Sequence, residues 1–100
     1  MPVDVTAVPR RCEVETFDGD GETLVYSAAR DEASTLNRTA TEIWLLCDGV
    51  RDVHAIAGAL ADRYGVDAAI LLPDVASTCG VLAARGLVEL GAGDRRPGTA

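Results

Sequence analysis

Leu36-Asn37-Arg38-Thr39-Ala40-Thr41-Glu42-Ile43-Trp44 decides the fold, because the residue pattern changes period across it. Upstream, apolar and polar residues alternate as they do along strands; downstream, apolar residues recur every three or four positions as they do along helices. The lone tryptophan, Trp44, falls just past the change. Asn37 or Thr39 can cap a helix that starts here, and Thr39-Ala40-Thr41-Glu42 has the spacing of a capping box. Ala40, Ile43, Trp44 and Cys47 then share one stripe, and Asp48-Gly49 supplies a helix end in which glycine takes the left-handed backbone.

Upstream, Glu32 to Leu36 reads as a short strand that follows a turn at Ala28-Ala29-Arg30-Asp31. Glu22 to Ser27 is the strand before it, with Leu24 and Tyr26 on one face and Val25 on the other. Asp18-Gly19-Asp20-Gly21 is a hairpin signal. Ahead of that turn, Cys12 to Phe17 alternates Cys12, Val14 and Thr16 with acidic residues, which predicts the first strand. Three strands joined as a meander leave the third at an edge, with backbone groups free to pair. Residues 1–11 contain two prolines and little pattern, and are expected to form a flexible arm.

Downstream, Asp52 caps a second helix whose Val53, Ile56, Ala57, Leu60 and Tyr64 share a face, and Gly65 closes it. In a third helix Leu72, Val75, Cys79 and Leu82 align, Arg85 lies in the last turn and Gly86 ends it. Pro73 lacks an N–H and clashes with the preceding turn. It therefore predicts either a helix start near Pro73, with Asp74 in the first turn, or a separate turn over 67–72 that meets the helix at a kink. Leu87 to Leu90 is apolar enough to pack as a terminal extended segment. Residues 91–100 form a Gly/Pro/Arg tail, expected to be disordered. The folded domain is thus expected over 12–90, as an α+β, winged helix-turn-helix-like arrangement of a three-stranded antiparallel sheet followed by three helices.

Composition narrows the function. One hundred residues hold one modest core, and a domain of this size buries only about 60–70% of its unfolded surface. Sixteen acidic residues against nine basic ones, all arginine, give a net charge of −7. A nucleic-acid binder shows a basic face instead. Cys12, Cys47 and Cys79 are an odd number with no Cys-x-x-Cys pair, and no secretory or membrane-spanning run is present, so reduced thiols in a cytoplasmic protein are expected. His54 stands alone, without a second ligand or nucleophile at a useful spacing. Asp18, Asp20 and Glu22 imitate the start of a calcium loop, but Thr23 replaces the required glycine and a hairpin turn explains them better. No catalytic residue, metal or cofactor is therefore expected.

Leu36-Asn37-x-Thr39-Ala40-x-x-Ile43-Trp44-x-Leu46-x-Asp48-Gly49, followed by Val53-x-x-Ile56, Leu60-x-x-x-Tyr64, Asp74-Val75 and Leu82-x-x-x-Gly86-Leu87, resembles the PqqD family. That family comprises peptide chaperones, or recognition elements, of ribosomally made and modified peptides. The resemblance covers about Cys12 to Leu90 and is strongest from Leu36 to Tyr64. It implies a non-catalytic module that captures the leader of a precursor peptide and presents it to a modifying enzyme: a radical S-adenosylmethionine enzyme, a leader protease or a cyclase. In the family the leader adds beside the third strand and lies against the third helix. Carried onto this chain, the peptide site comprises Asp31, Glu32, Ala33, Ser34, Thr35 and Leu36 on the edge strand, and Asp74, Val75, Thr78, Cys79, Leu82 and Arg85 on the helix. Thr78 and Cys79 stand where relatives tend to carry a large apolar pair, which predicts a shallower or wider groove. Pro73 is a second departure from the family pattern.

Two other classes compete with this reading. A winged-helix DNA-binding regulator would use the second and third helices, yet its recognition helix would offer only Arg85 and would lead with Asp74. A small enzyme lacks a phosphate loop, a metal cluster and a triad. DNA binding would be steeply salt-dependent, whereas leader capture should tolerate salt and respond to changes on the edge strand. A proline at Ser34 tests that edge, provided the Ser34 N–H points outward.

Overall fold

The computed structural model describes residues 4–91. Their order is β1 (Val8–Arg11), β2 (Glu15–Asp18), β3 (Thr23–Ser27), β4 (Glu32–Leu36), α1 (Arg38–Leu45), α2 (Val53–Tyr64), α3 (Ala68–Ala84) and β5 (Val88–Gly91). The antiparallel meander β2-β3-β4 and the three helices are those the sequence predicts. A second, two-stranded sheet pairs β1 with β5. It corrects the expectation of a flexible arm through residue 11: Val8 pairs with Gly91 and Arg11 with Val88, and Ala7 and Pro9 are buried. The first strand of the meander also starts later than expected, at Glu15 instead of Cys12. Of the expected tail, Gly91 closes β5 and the rest lies outside the described residues.

The helix ends follow from local chemistry. Asn37, not Thr39, caps α1: its side chain accepts from the Ala40 N–H at 2.8 Å, so the capping box does not form. The helix ends at Leu45, ahead of Asp48-Gly49. Asp52 caps α2 by accepting from the Ala55 N–H, and Gly65 closes it in the left-handed region. Asp67 caps α3, which then runs unbroken through Pro73. Neither a start at Pro73 nor a separate turn before it is found. An Asx cap satisfies the first turn, and Pro73 and the i−4 residue Ala69 are both exposed, so water can serve the carbonyl that the ring leaves free.

The core lies between the helices and the inner face of the sheet. Val25, Leu36, Ile43, Trp44, Val53, Ile56, Leu60, Val75, Cys79, Leu82, Leu87 and Val88 belong to one buried cluster. Trp44 joins it through a hydrogen bond as well as by packing, its Nε1–H donating to the Leu87 carbonyl at 3.1 Å. The stretch around the change of period thus holds β4 to the helices: Leu36 enters the core, Asn37 caps α1, and Thr41 Oγ1 donates back to the Leu36 carbonyl.

Candidate functional site

β4 is an edge strand, since β3 is its sole neighbour in the sheet. Which of its backbone groups face the open side follows from the register. Gly19 N–H donates to the Glu22 carbonyl at 2.7 Å across the β2–β3 turn, which makes Gly19 and Glu22 a hydrogen-bonded pair. Antiparallel pairs alternate between bonded and non-bonded. Stepping along the register, Phe17–Leu24 and Glu15–Tyr26 are bonded pairs, so the backbone groups of Thr23, Val25 and Ser27 turn toward β4. Their partners Leu36, Ser34 and Glu32 therefore turn inward to β3. Ala33 and Thr35 present their N–H and C=O to the open edge. Ser34, proposed from sequence as the place for a proline, has its N–H inside the sheet.

The turn into β4 agrees with that register. Four residues, Ala28 to Asp31, separate the paired Ser27 and Glu32, and Asp31 ends the loop at φ 52°. This left-handed position suits Asp better than most side chains. Asp31 is also held by the Tyr26 hydroxyl, which donates to its Oδ1 at 2.7 Å. That hydrogen bond, with lesser help from burial and from the Glu15 charge, raises the Tyr26 pKa.

Arg30 ties this turn to α3, its Nη1 donating to the Ala84 carbonyl at 3.1 Å while its Nε lies 3.6 Å from Glu32 Oε1. Gly86 makes room for the contact, since a Cβ there would lie 2.5 Å from Arg30 Cδ. The edge strand and the C-terminal turn of α3 are thereby fixed to each other.

The site residues expected on α3 divide into two groups. Val75, Cys79 and Leu82 are at most 1% exposed and belong to the core, so they lie behind the helix surface and do not line it. Asp74 and Arg85 are exposed and Thr78 is half-buried. Leu71, Asp74, Thr78, Val81 and Arg85 follow each other at spacings of three and four, which puts them on one face. Leu71 and the 48%-exposed Val81 were missed in the sequence. Their spacing from Asp74 and Thr78 carries the signal that puts them on this face. Of the edge residues, Glu32, Ser34 and Leu36 share the inner face, with Leu36 buried, and Ala33 and Thr35 share the outer one.

Cys47 and Cys79 meet beneath this face, both fully buried. The neighbouring Cys79 thiol, together with burial, drives the Cys47 thiol far above its ordinary pKa. Cys47 Sγ also lies 3.2 Å from the Ile43 carbonyl. Among the described residues no group of three or more His, Cys, Asp or Glu side chains is placed to hold a metal ion, and no helix is long and apolar enough to cross a membrane.

Fold and site together define a small winged helix-turn-helix-like α+β domain in which the open edge of β4 has a helix tied beside it. A family model described as coenzyme PQQ synthesis protein D (PqqD) matches residues 22–88. The chain belongs to the PqqD family. It is similar to a PqqA binding protein of Rhodopseudomonas palustris (strain TIE-1), with 49% identity over 49 residues, which are 49% of this chain and 48% of that protein. The chain thus matches about half the length of that curated relative. Its fold is similar to that of TbiB1 in complex with the TbiA(beta) leader peptide, with a TM-score of 0.69 and 22% identity over 85% of this chain and 99% of that one.

Proposed function

We propose that this chain is a non-catalytic recognition protein that binds the leader segment of a precursor peptide by strand addition and passes it to a peptide-modifying enzyme or protease. The observation that carries the reading is the open edge of β4, whose Ala33 and Thr35 backbone groups are directed away from β3. An extended peptide can satisfy such groups regardless of its sequence, and neighbouring side chains then select among peptides. The inner-face side chains of the added strand would meet Ser34 and the α3 face of Leu71, Asp74, Thr78, Val81 and Arg85. Val75, Cys79 and Leu82 act as the packed support of that face. A PqqA binding protein among the relatives, and a fold shared with a protein solved with a leader peptide, support the same reading.

The partners proposed are the leader and one modifying enzyme, in the cytoplasm. The DNA-regulator alternative gains nothing from the structure, since the exposed side of α3 offers Asp74 and, of basic residues, only Arg85 at its cap. Titration of the protein with the precursor peptide encoded beside it, followed by calorimetry, tests the proposal. Saturable binding that requires the leader and survives moderate salt is expected, and its absence for every neighbouring leader overturns the reading.

A further inference from the structure

We infer that the outer face of the β2-β3-β4 sheet is a second docking surface, centred on Phe17 and Leu24 and bordered by the carboxylates of Glu13 and Glu15. It fits a protein surface that offers an apolar socket surrounded by lysine and arginine, and the partner is the enzyme that modifies the captured peptide. The inference rests on the proposed function for the identity of that partner.

Phe17 and Leu24 are direct cross-strand partners. They point away from the core, on the face opposite the buried Val25, and are 54% and 41% exposed. The next pair on this face is Glu15 and Tyr26, and the small side chains of Ala33 and Thr35 continue it across β4. Tyr26 also borders a shallow concavity with Glu13, Val14, Glu15 and Ala28. An aromatic–aliphatic pair left bare at the middle of a sheet face is the form that an interface anchor takes.

The charge around it is one-sided. Glu15 lies on this face opposite Tyr26, and Glu13 borders the same concavity, while Asp18, opposite the buried Thr23, and Glu32, opposite the buried Ser27, lie on the inner face. No basic residue lies between Cys12 and Ala29 to offset the carboxylates of β2 and its turn. Two copies of such a face repel each other. A cationic rim on a partner is attracted to it, over distances that speed the encounter.

Position supplies the remaining reason. A peptide added to β4 extends this same sheet, so its outer face would continue onto the peptide's backbone and every second side chain. A partner seated on Phe17 and Leu24 could therefore reach the peptide without displacing it. The α3 face, on the helical side of the sheet, would remain occupied by the peptide alone.

The test measures binding of the purified modifying enzyme encoded with the precursor peptide, alongside leader titration, for wild type and two double variants. Phe17→Ser with Leu24→Thr removes the apolar centre. Glu13→Lys with Glu15→Lys reverses the rim at exposed positions beside Tyr26, so it reports even if the first variant folds poorly. The expected result is enzyme binding weakened by about tenfold or more in each, leader affinity unchanged, and a wild-type association rate that falls as salt rises. The inference is overturned if a leader-competent wild type does not bind the enzyme, if both variants bind it as wild type does, or if Phe17→Ser with Leu24→Thr disperses a wild-type homodimer. Failure of wild type to capture any leader strikes the proposed function instead.

Discussion

The register of β4 leads to a prediction in which neighbouring residues respond oppositely to the same change. Proline lacks an N–H and is tolerated on an edge strand only where that N–H would face solvent. At Thr35 the N–H faces the open edge, so Thr35→Pro removes no hydrogen bond of the sheet and should cost no more than about 1 kcal/mol of stability, mainly through the fixed φ. It deletes one main-chain bond to an added strand, worth about 0.5–1.5 kcal/mol, and its ring obstructs the edge. Together these should weaken leader capture by about tenfold, equivalent to about 1.4 kcal/mol. At Ser34 the N–H points to Val25. Ser34→Pro breaks the ladder and leaves the carbonyl of a fully buried residue without its partner, at a cost of about 2–4 kcal/mol. Thr16→Pro on β2 is the control: its N–H also faces outward by the same register, and it should leave capture intact. Urea denaturation and leader titration of the three variants decide the matter. A Ser34→Pro protein as stable as Thr35→Pro would refute the register. Undiminished capture by Thr35→Pro would refute strand addition at β4.

Gly86→Ala places a methyl 2.5 Å from Arg30 Cδ at a backbone φ of 75°, so a loss of about 1–2 kcal/mol in urea denaturation is expected, with weaker leader capture because the Arg30–Ala84 tie is displaced. Trp44→Phe deletes the hydrogen bond to Leu87, whose carbonyl keeps the Cys12 N–H at 3.0 Å, and should cost about 1–3 kcal/mol by the same measurement. Because the native state holds the Cys47 proton that the unfolded chain releases, the stability from this group is complete below the unfolded thiol pKa, about 8.5. It is lost as pH rises beyond that value, at up to about 1.4 kcal/mol per pH unit. Urea midpoints at pH 8 and 9.5 should therefore fall further for wild type than for Cys47→Ala, and equal falls would remove the buried thiol from the account.

What could be read in the sequence was what neighbours in the chain decide. Glu32 to Leu36 as a strand, Asp52 and Gly65 as the ends of α2, and Gly86 as the end of α3 each rest on a few adjacent residues, and each holds. The β1–β5 pair was not legible, because its partners stand some eighty positions apart and Pro9 argues locally against a strand. Pro9 is accommodated by contacts that only the fold supplies, its carbonyl accepting from the Gly49 N–H at 3.0 Å. At the start of α3 two local signals competed. The Asp67 cap prevailed over Pro73, because a proline on a solvated side of an early turn forfeits one bond and not the helix. The division of the α3 residues into buried and exposed has a different reason. Periodicity shows that Val75, Cys79 and Leu82 share a face, but not whether that face meets the core or a ligand.

The sheet has two edges, and their chemistry favours β4 over β2 for the proposed peptide. β2 exposes all four of its residues, with Glu15 and Asp18 in the strand and Asp20 and Glu22 in the turn beyond. A strand added there would bring its main chain beside carboxylates, and among the described elements β3 is the one against which β2 packs extensively. β4 differs on both counts. Its Glu32 is drawn toward Arg30, its Asp31 is engaged by Tyr26, and Ala33, Ser34 and Thr35 between them and Leu36 carry no charge. Arg30 also fixes the α3 C-terminus at the beginning of the strand, so a peptide entering beside Ala33 and Thr35 has a helix face within the same rigid frame. Charge discourages pairing along β2 while leaving its outer face attractive to a cationic partner. Neutral small residues leave the β4 backbone accessible. One short meander can thus keep peptide capture and partner docking on separate surfaces.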